Sequence, residues 1–99
     1  MKIENSSAVV IVLQNPREKI LGILLDLSSA GLYVRGIDLN YFDEWIKAIK
    51  NEEPYLPMQD SFYPMWRVER MTMDTGSEGL PSMSEQFEER TGTALGDFL

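Results

Sequence analysis

The connections between residues 13 and 32 are too short to do anything but turn the chain back on itself. Ala8-Val9-Val10-Ile11-Val12-Leu13 is apolar and rich in β-branched residues, and it stops at Asn15-Pro16. That is the signature of a strand ending in a turn. Pro16-Arg17-Glu18 makes the turn, and Lys19 to Leu27 is a second strand. Ser28-Ser29-Ala30-Gly31 is a tight connection into a third, Leu32 to Ile37. Parallel strands need a crossover of a dozen or more residues, so these three form an antiparallel meander. The second strand is apolar on both faces around Gly22, which suits a strand bent sharply in a closed barrel, where a missing Cβ relieves crowding.

After Ile37 the period changes. Phe42, Trp45, Ile46 and Ile49 fall at i, i+3, i+4 and i+7, one apolar stripe of a helix over Tyr41 to Lys50. Asp38 or Asn40 supplies its cap, Asp43 and Lys47 pair one turn apart, and the lysines sit in the last turn. Asn51 to Asp60, with Pro54 and Pro57, is a loop. Phe62 to Met73 returns to strand character, but Pro64 argues for two short strands with a break. Gly76 to Pro81 is turn-rich, and Ser82-Met83-Ser84-Glu85 fits a capping box. A helix then runs to about Thr91, with Gly92 in the C′ place. Met83 and Phe87 are expected to dock that helix. Thr93 to Leu99 either fray or dock through Leu95, Phe98 and Leu99, and the residues beyond Gly92 are expected to be the least stable part of the chain.

Composition bounds the function classes. Ninety-nine residues without cysteine or histidine make one domain with no disulfide, no thiolate or imidazole metal ligand and no histidine base. A reducing, cytoplasmic setting is expected, since Met1 to Ser7 has no long apolar stretch behind it and Ala8–Leu13 is far too short to span a bilayer. The net charge is −7, and beyond Met73 six acids face Arg90 alone. That balance disfavours broad binding to phosphate backbones. The carboxylates near one another in sequence (Asp38, Asp43 and Glu44; Glu52 and Glu53; Glu85, Glu88 and Glu89) read as caps and solvated helix faces. No serine has a visible base, and Gly92-x-x-x-Gly96 lacks the Lys-Ser/Thr ending of a phosphate loop. No catalytic residue, metal site or cofactor is expected.

The strand rhythm resembles a known family. Val10-Ile11-Val12-Leu13-Gln14-Asn15, then Gly22-Ile23-Leu24 and Gly31-Leu32-Tyr33-Val34, is similar to the first half of the Sm-like fold. Phe62-Tyr63-Pro64-Met65-Trp66-Arg67-Val68-Glu69-Arg70-Met71 is similar to its second half. The resemblance covers residues 8–37 and 61–74. It implies a mainly β chain: a small five-stranded Sm-like or SH3-like barrel, with the helical segment 39–51 inserted between strands 3 and 4 and an acidic helical tail over 79–99. It also implies assembly with copies of itself or a protein partner through strand edges. The family's RNA-binding stretch between strands two and three, Asp-x-aromatic/Met-Asn, is Leu27-Ser28-Ser29-Ala30-Gly31 here. Its second-half Arg-Gly or Lys-His element is absent, and Arg35-Gly36 lies in strand three. The RNA site is therefore not carried across.

A smaller likeness lies in Asp26-Leu27-Ser28-Ser29-Ala30-Gly31, which resembles the D-x-S-x-x-G turn of PilZ domains. Those domains also need an upstream Arg-x-x-x-Arg to clamp the phosphates of cyclic di-GMP, and Arg17 is the only arginine before Asp26. Asp26, Ser28 and Gly31 are thus candidates for a ligand turn, with an ordinary β-turn the plainer reading. The surface candidates for partner or ligand contact are Trp66, Arg67 and Arg70, with Arg35: arginine beside tryptophan suits hot spots, cation–π contacts and stacked bases. The expected function is a non-enzymatic interaction module. The alternative is a nucleotide- or RNA-binding regulatory domain, with RNA or a cyclic dinucleotide as the disfavoured partner, and no membrane.

Overall fold

Five strands, β1 (Ala8–Leu13), β2 (Glu18–Leu27), β3 (Gly31–Asp38), β4 (Gln59–Pro64) and β5 (Val68–Met73), pair antiparallel in one sheet, order β4-β3-β2-β1-β5. The computed structural model describes residues 7–77 and 79–98. The two edge strands are consecutive in sequence, joined only by a 3₁₀ turn, Met65–Arg67. In a flat sheet four strand spacings would part them by about 19 Å, and a three-residue 3₁₀ turn covers about 6 Å. The sheet has to curl. The turn records this directly: Met65 N donates to Ala30 O in the β2–β3 connection at 2.9 Å, while Gln14 N beyond β1 donates to Arg67 O at 2.7 Å.

Curling gives the sheet two cores. Val9, Ile11, Leu13, Ile20, Leu24, Leu32 and Val34 fill the inner face, with Tyr63, Val68 and Met71 packed against them. Leu21 and Ile37 point the other way and are covered by helices. This is why β2 is apolar on both faces: alternate side chains enter different cores. Across β2 and β3, Gly22 stands opposite Gly36 on the inner face. A Cβ on Gly22 would lie 2.6 Å from the Arg35 carbonyl oxygen and 2.9 Å from Gly36 Cα, so the two backbones meet where neither has a side chain. A register shift between Leu24 and Asp26 then leaves Leu25 unopposed.

Helix α1 (Phe42–Lys50) buries Phe42, Trp45 and Ile46 on the outer face, with Ile49 half-buried beside them. Asp38 does not cap this helix. It caps the preceding 3₁₀ turn, Leu39–Tyr41, accepting from Asn40 N at 2.7 Å, and Tyr41 leads into α1 without a side-chain cap. Helix α2 (Met83–Thr91) begins with the Ser82–Glu85 capping box and ends at Gly92, whose φ is 77°. No helix of the described residues is long and apolar enough to cross a membrane.

Of the two outcomes expected after Gly92, fraying or docking, Leu95 and Phe98 take the second. A 3₁₀ turn, Leu95–Phe98, buries Leu95 and sets the Phe98 ring 6.1 Å from Trp45 and 5.4 Å from Phe87. Two apolar anchors in the outer core outweigh proximity to the chain end, so removing residues beyond Thr91 strips that core. Leu99 lies outside the described residues.

Asp74, just past β5, is the second link to α2. Its carboxylate accepts from Met83 N at 2.8 Å and Ser84 N at 2.9 Å, meeting the exposed amides and positive end of the helix. Asp74→Ala should therefore cost about 1–2 kcal/mol in urea melts and speed proteolysis near residue 80. A change below about 0.5 kcal/mol would show that Phe87, Met83 and the Arg90–Asp43 ion pair hold the helix without it.

Candidate functional site

Six of the nine exposed large apolar side chains among the described residues cluster at one end of the sheet: Leu25, Leu27, Tyr33, Phe62, Met65 and Trp66. The topology explains the gathering. Leu25 and Leu27 come from the end of β2, Tyr33 from the start of β3 and Phe62 from its partner β4. Met65 and Trp66 belong to the turn that Met65 N ties to Ala30. Tyr33 and Phe62 stand directly opposite each other, ring centroids 4.8 Å apart, and are 51% and 42% exposed. Aromatic pairs of this kind are normally spent on a core or an interface, yet here they face solvent. Trp66, 63% exposed, is held in place by its own backbone, since Gln14 Nε2 donates to its carbonyl at 2.7 Å.

Beside this patch runs an open strand edge. Among the described residues nothing pairs with the far side of β4. Antiparallel partners alternate between pairs that exchange hydrogen bonds and pairs that do not. The Met65–Ala30 bond continues the β3–β4 register, so Tyr63 and Ser61 direct their N–H and C=O at β3. Phe62 and Asp60 direct theirs outward, and Pro64, with no N–H to offer, falls in the outward set.

The four surface candidates are not brought together. Arg67 is a clasp: its guanidinium donates to Gln14 O at 3.1 Å, Pro16 O at 2.9 Å and Glu18 Oε2 at 2.8 Å, tying the edge turn to the β1–β2 hairpin. Arg35 forms a two-pronged pair with Asp60, 2.6 and 3.1 Å. Its hydrogen bond to Asp60 holds that carboxyl below its usual range and raises Arg35 in turn. Arg70 is exposed on β5, three strands from Arg35 in sheet order, and has no ion pair among the described residues.

The turn candidates form a closed hydrogen-bonded unit. Ser28 N donates to Gly31 O at 3.0 Å and Ser28 Oγ accepts from Ala30 N at 3.2 Å, which accounts for the serine and glycine without a ligand. Asp26 stands opposite Tyr33, exposed. No group of three or more acidic side chains capable of holding a metal occurs among the described residues. A pocket of about 170 Å³ opens beside β4, lined by Ile20, Val34, Gln59, Ser61 and Tyr63 among others.

No protein-family model, curated protein or solved structure matches this chain.

The tryptophan was legible as a surface candidate; the Tyr33–Phe62 pair was not. Each aromatic sits in an alternating strand where the inner or the outer face would serve equally. Only the pairing register shows that both face outward, on a part of the sheet that the helices leave bare. Gln14 and Glu18, the partners that commit Arg67, lie about fifty residues away in sequence and carry no local signal.

Proposed function

We propose that this protein is a non-enzymatic interaction module, an Sm-like small barrel that self-associates through its strand edges. The observation that carries the reading is the half-exposed Tyr33–Phe62 pair on an open edge strand, flanked by Met65 and Trp66. An unpaired edge with apolar side chains beside it is a template for a further strand, and soluble proteins normally blunt such edges unless they are used. The strand order and the 3₁₀ turn after Pro64 support the barrel that the sequence resemblance implies. Nucleotide or RNA binding has less behind it, because Arg35 and Arg67 are committed to Asp60, Glu18 and backbone carbonyls.

Light scattering across the micromolar range should show mass rising with concentration, and Phe62→Asp should abolish the rise while leaving the melt nearly unchanged. A strict monomer throughout would overturn the reading. A thermal shift with a cyclic dinucleotide, or salt-dependent binding of short single-stranded RNA, would favour the alternative instead.

A further inference from the structure

Which edge joins which is decided by backbone phase. On β5, Asp74 N donates to Ala8 O at 3.0 Å in the β1–β5 register, so Thr72 and Arg70 address β1 while Met71 and Met73 direct their backbone groups outward. Met71 belongs to the inner face. On β4 the outward residues are Asp60 and Phe62, and Phe62 shares the outer face with Tyr33. Residues directly opposite in an antiparallel pair share a face. An antiparallel β4–β5 contact between copies would therefore continue the outer face of one sheet into the inner face of the next, exposing a core. Like edges do not have this conflict. Of the two, β5 carries polar Arg70 and Thr72 outside and a register shift near Leu13, features that discourage strand addition. β4 carries the aromatic pair.

We propose, building on the self-association reading above, that β4 pairs antiparallel with β4 of a second copy about a two-fold axis at Ser61. Three neighbouring registers are available. With Asp60 opposite itself, like charges meet. With Phe62 opposite itself, Asp60 faces Pro64, which has no N–H, and the Asp60 carbonyl is left without a donor. With Ser61 opposite itself, Asp60 and Phe62 of each copy exchange both hydrogen bonds with Phe62 and Asp60 of the other, and every outward group of these residues is satisfied. A small side chain occupies the close, non-hydrogen-bonded pair at the axis. On the outer face each Phe62 ring lies beside the second copy's Arg35–Asp60 ion pair, placing a guanidinium near an aromatic face. On the inner face Gln59 stands opposite the second copy's Tyr63, over the pocket those residues line.

The chain has no cysteine, so introduced thiols report on this contact alone. The Cα atoms of a non-hydrogen-bonded antiparallel pair are about 4.5 Å apart, within disulfide reach. In the full chain, Ser61→Cys should form a disulfide-linked dimer on mild oxidation at least tenfold faster than Thr72→Cys on β5. Phe62→Pro removes an outward N–H and leaves the β3–β4 ladder intact. It should weaken self-association at least tenfold in light scattering without lowering the melting midpoint by more than a few degrees. Faster linkage of Thr72→Cys, or a dimer that neither thiol traps and Phe62→Pro leaves intact, would overturn the β4 pairing and leave self-association standing. A monomer at every concentration would overturn both.

Discussion

Trp45→Ala should destabilise the protein by about 3–5 kcal/mol, the range for truncating a large core aromatic. Trp45 is fully buried at the centre of the outer core, 4.9 Å from the Phe87 ring, 6.1 Å from Phe98 and 6.5 Å from Phe42. With Phe87 and Phe98 it forms an aromatic trio that joins α1, α2 and the C-terminal turn, so its loss should loosen all three. Trp45→Phe separates packing from polarity. The indole N–H is buried without a hydrogen-bond partner among the described residues, and such a group costs about 1–3 kcal/mol. Phenylalanine gives up part of the ring volume but removes that penalty, so its cost should stay below about 2 kcal/mol. Urea melts of both variants check this. An alanine variant within about 1 kcal/mol of the parent would mean that the helices are not docked on the sheet. Native emission from Trp45 in a Trp66→Phe background should be blue-shifted, and a solvent-relaxed spectrum would contradict the burial.

The second large effect is expected at Gly22. Its new Cβ would meet the Arg35 carbonyl oxygen at 2.6 Å, Val34 Cγ1 at 2.7 Å and Gly36 Cα at 2.9 Å. Two of the three obstacles are backbone and cannot swing aside, so relief requires β2 and β3 to separate where the sheet curls. Gly22→Ala should cost about 2–3 kcal/mol, and Gly22→Val more, because overpacking in a dense interior forces backbone shifts. If Gly22→Val melts within about 1 kcal/mol of the parent, the inner face is open at this point. The close approach of β2 to β3 would then not be what the glycine serves.

Much of the local structure was written in the sequence. The three-strand meander, the α1 stripe, the break after Pro64 and the Ser82–Glu85 capping box all rest on short-range physics: β-branched runs, 3.6-residue periodicity, a missing proline N–H and reciprocal cap bonds. Each needs neighbours only a few residues away. The tertiary structure decided what depends on register and distant contacts. It sorted the two faces of β2 into two cores and drew Leu95 and Phe98 against Trp45. It also spent Arg67 on Gln14, Pro16 and Glu18, and used Asp74 to hold α2. The candidate site belongs to this second group. A one-residue slip in strand pairing would turn Tyr33 and Phe62 to the inner face. Their exposure beside a free edge follows from where β4 pairs and where the helices stop, and neither is a property of the residues themselves.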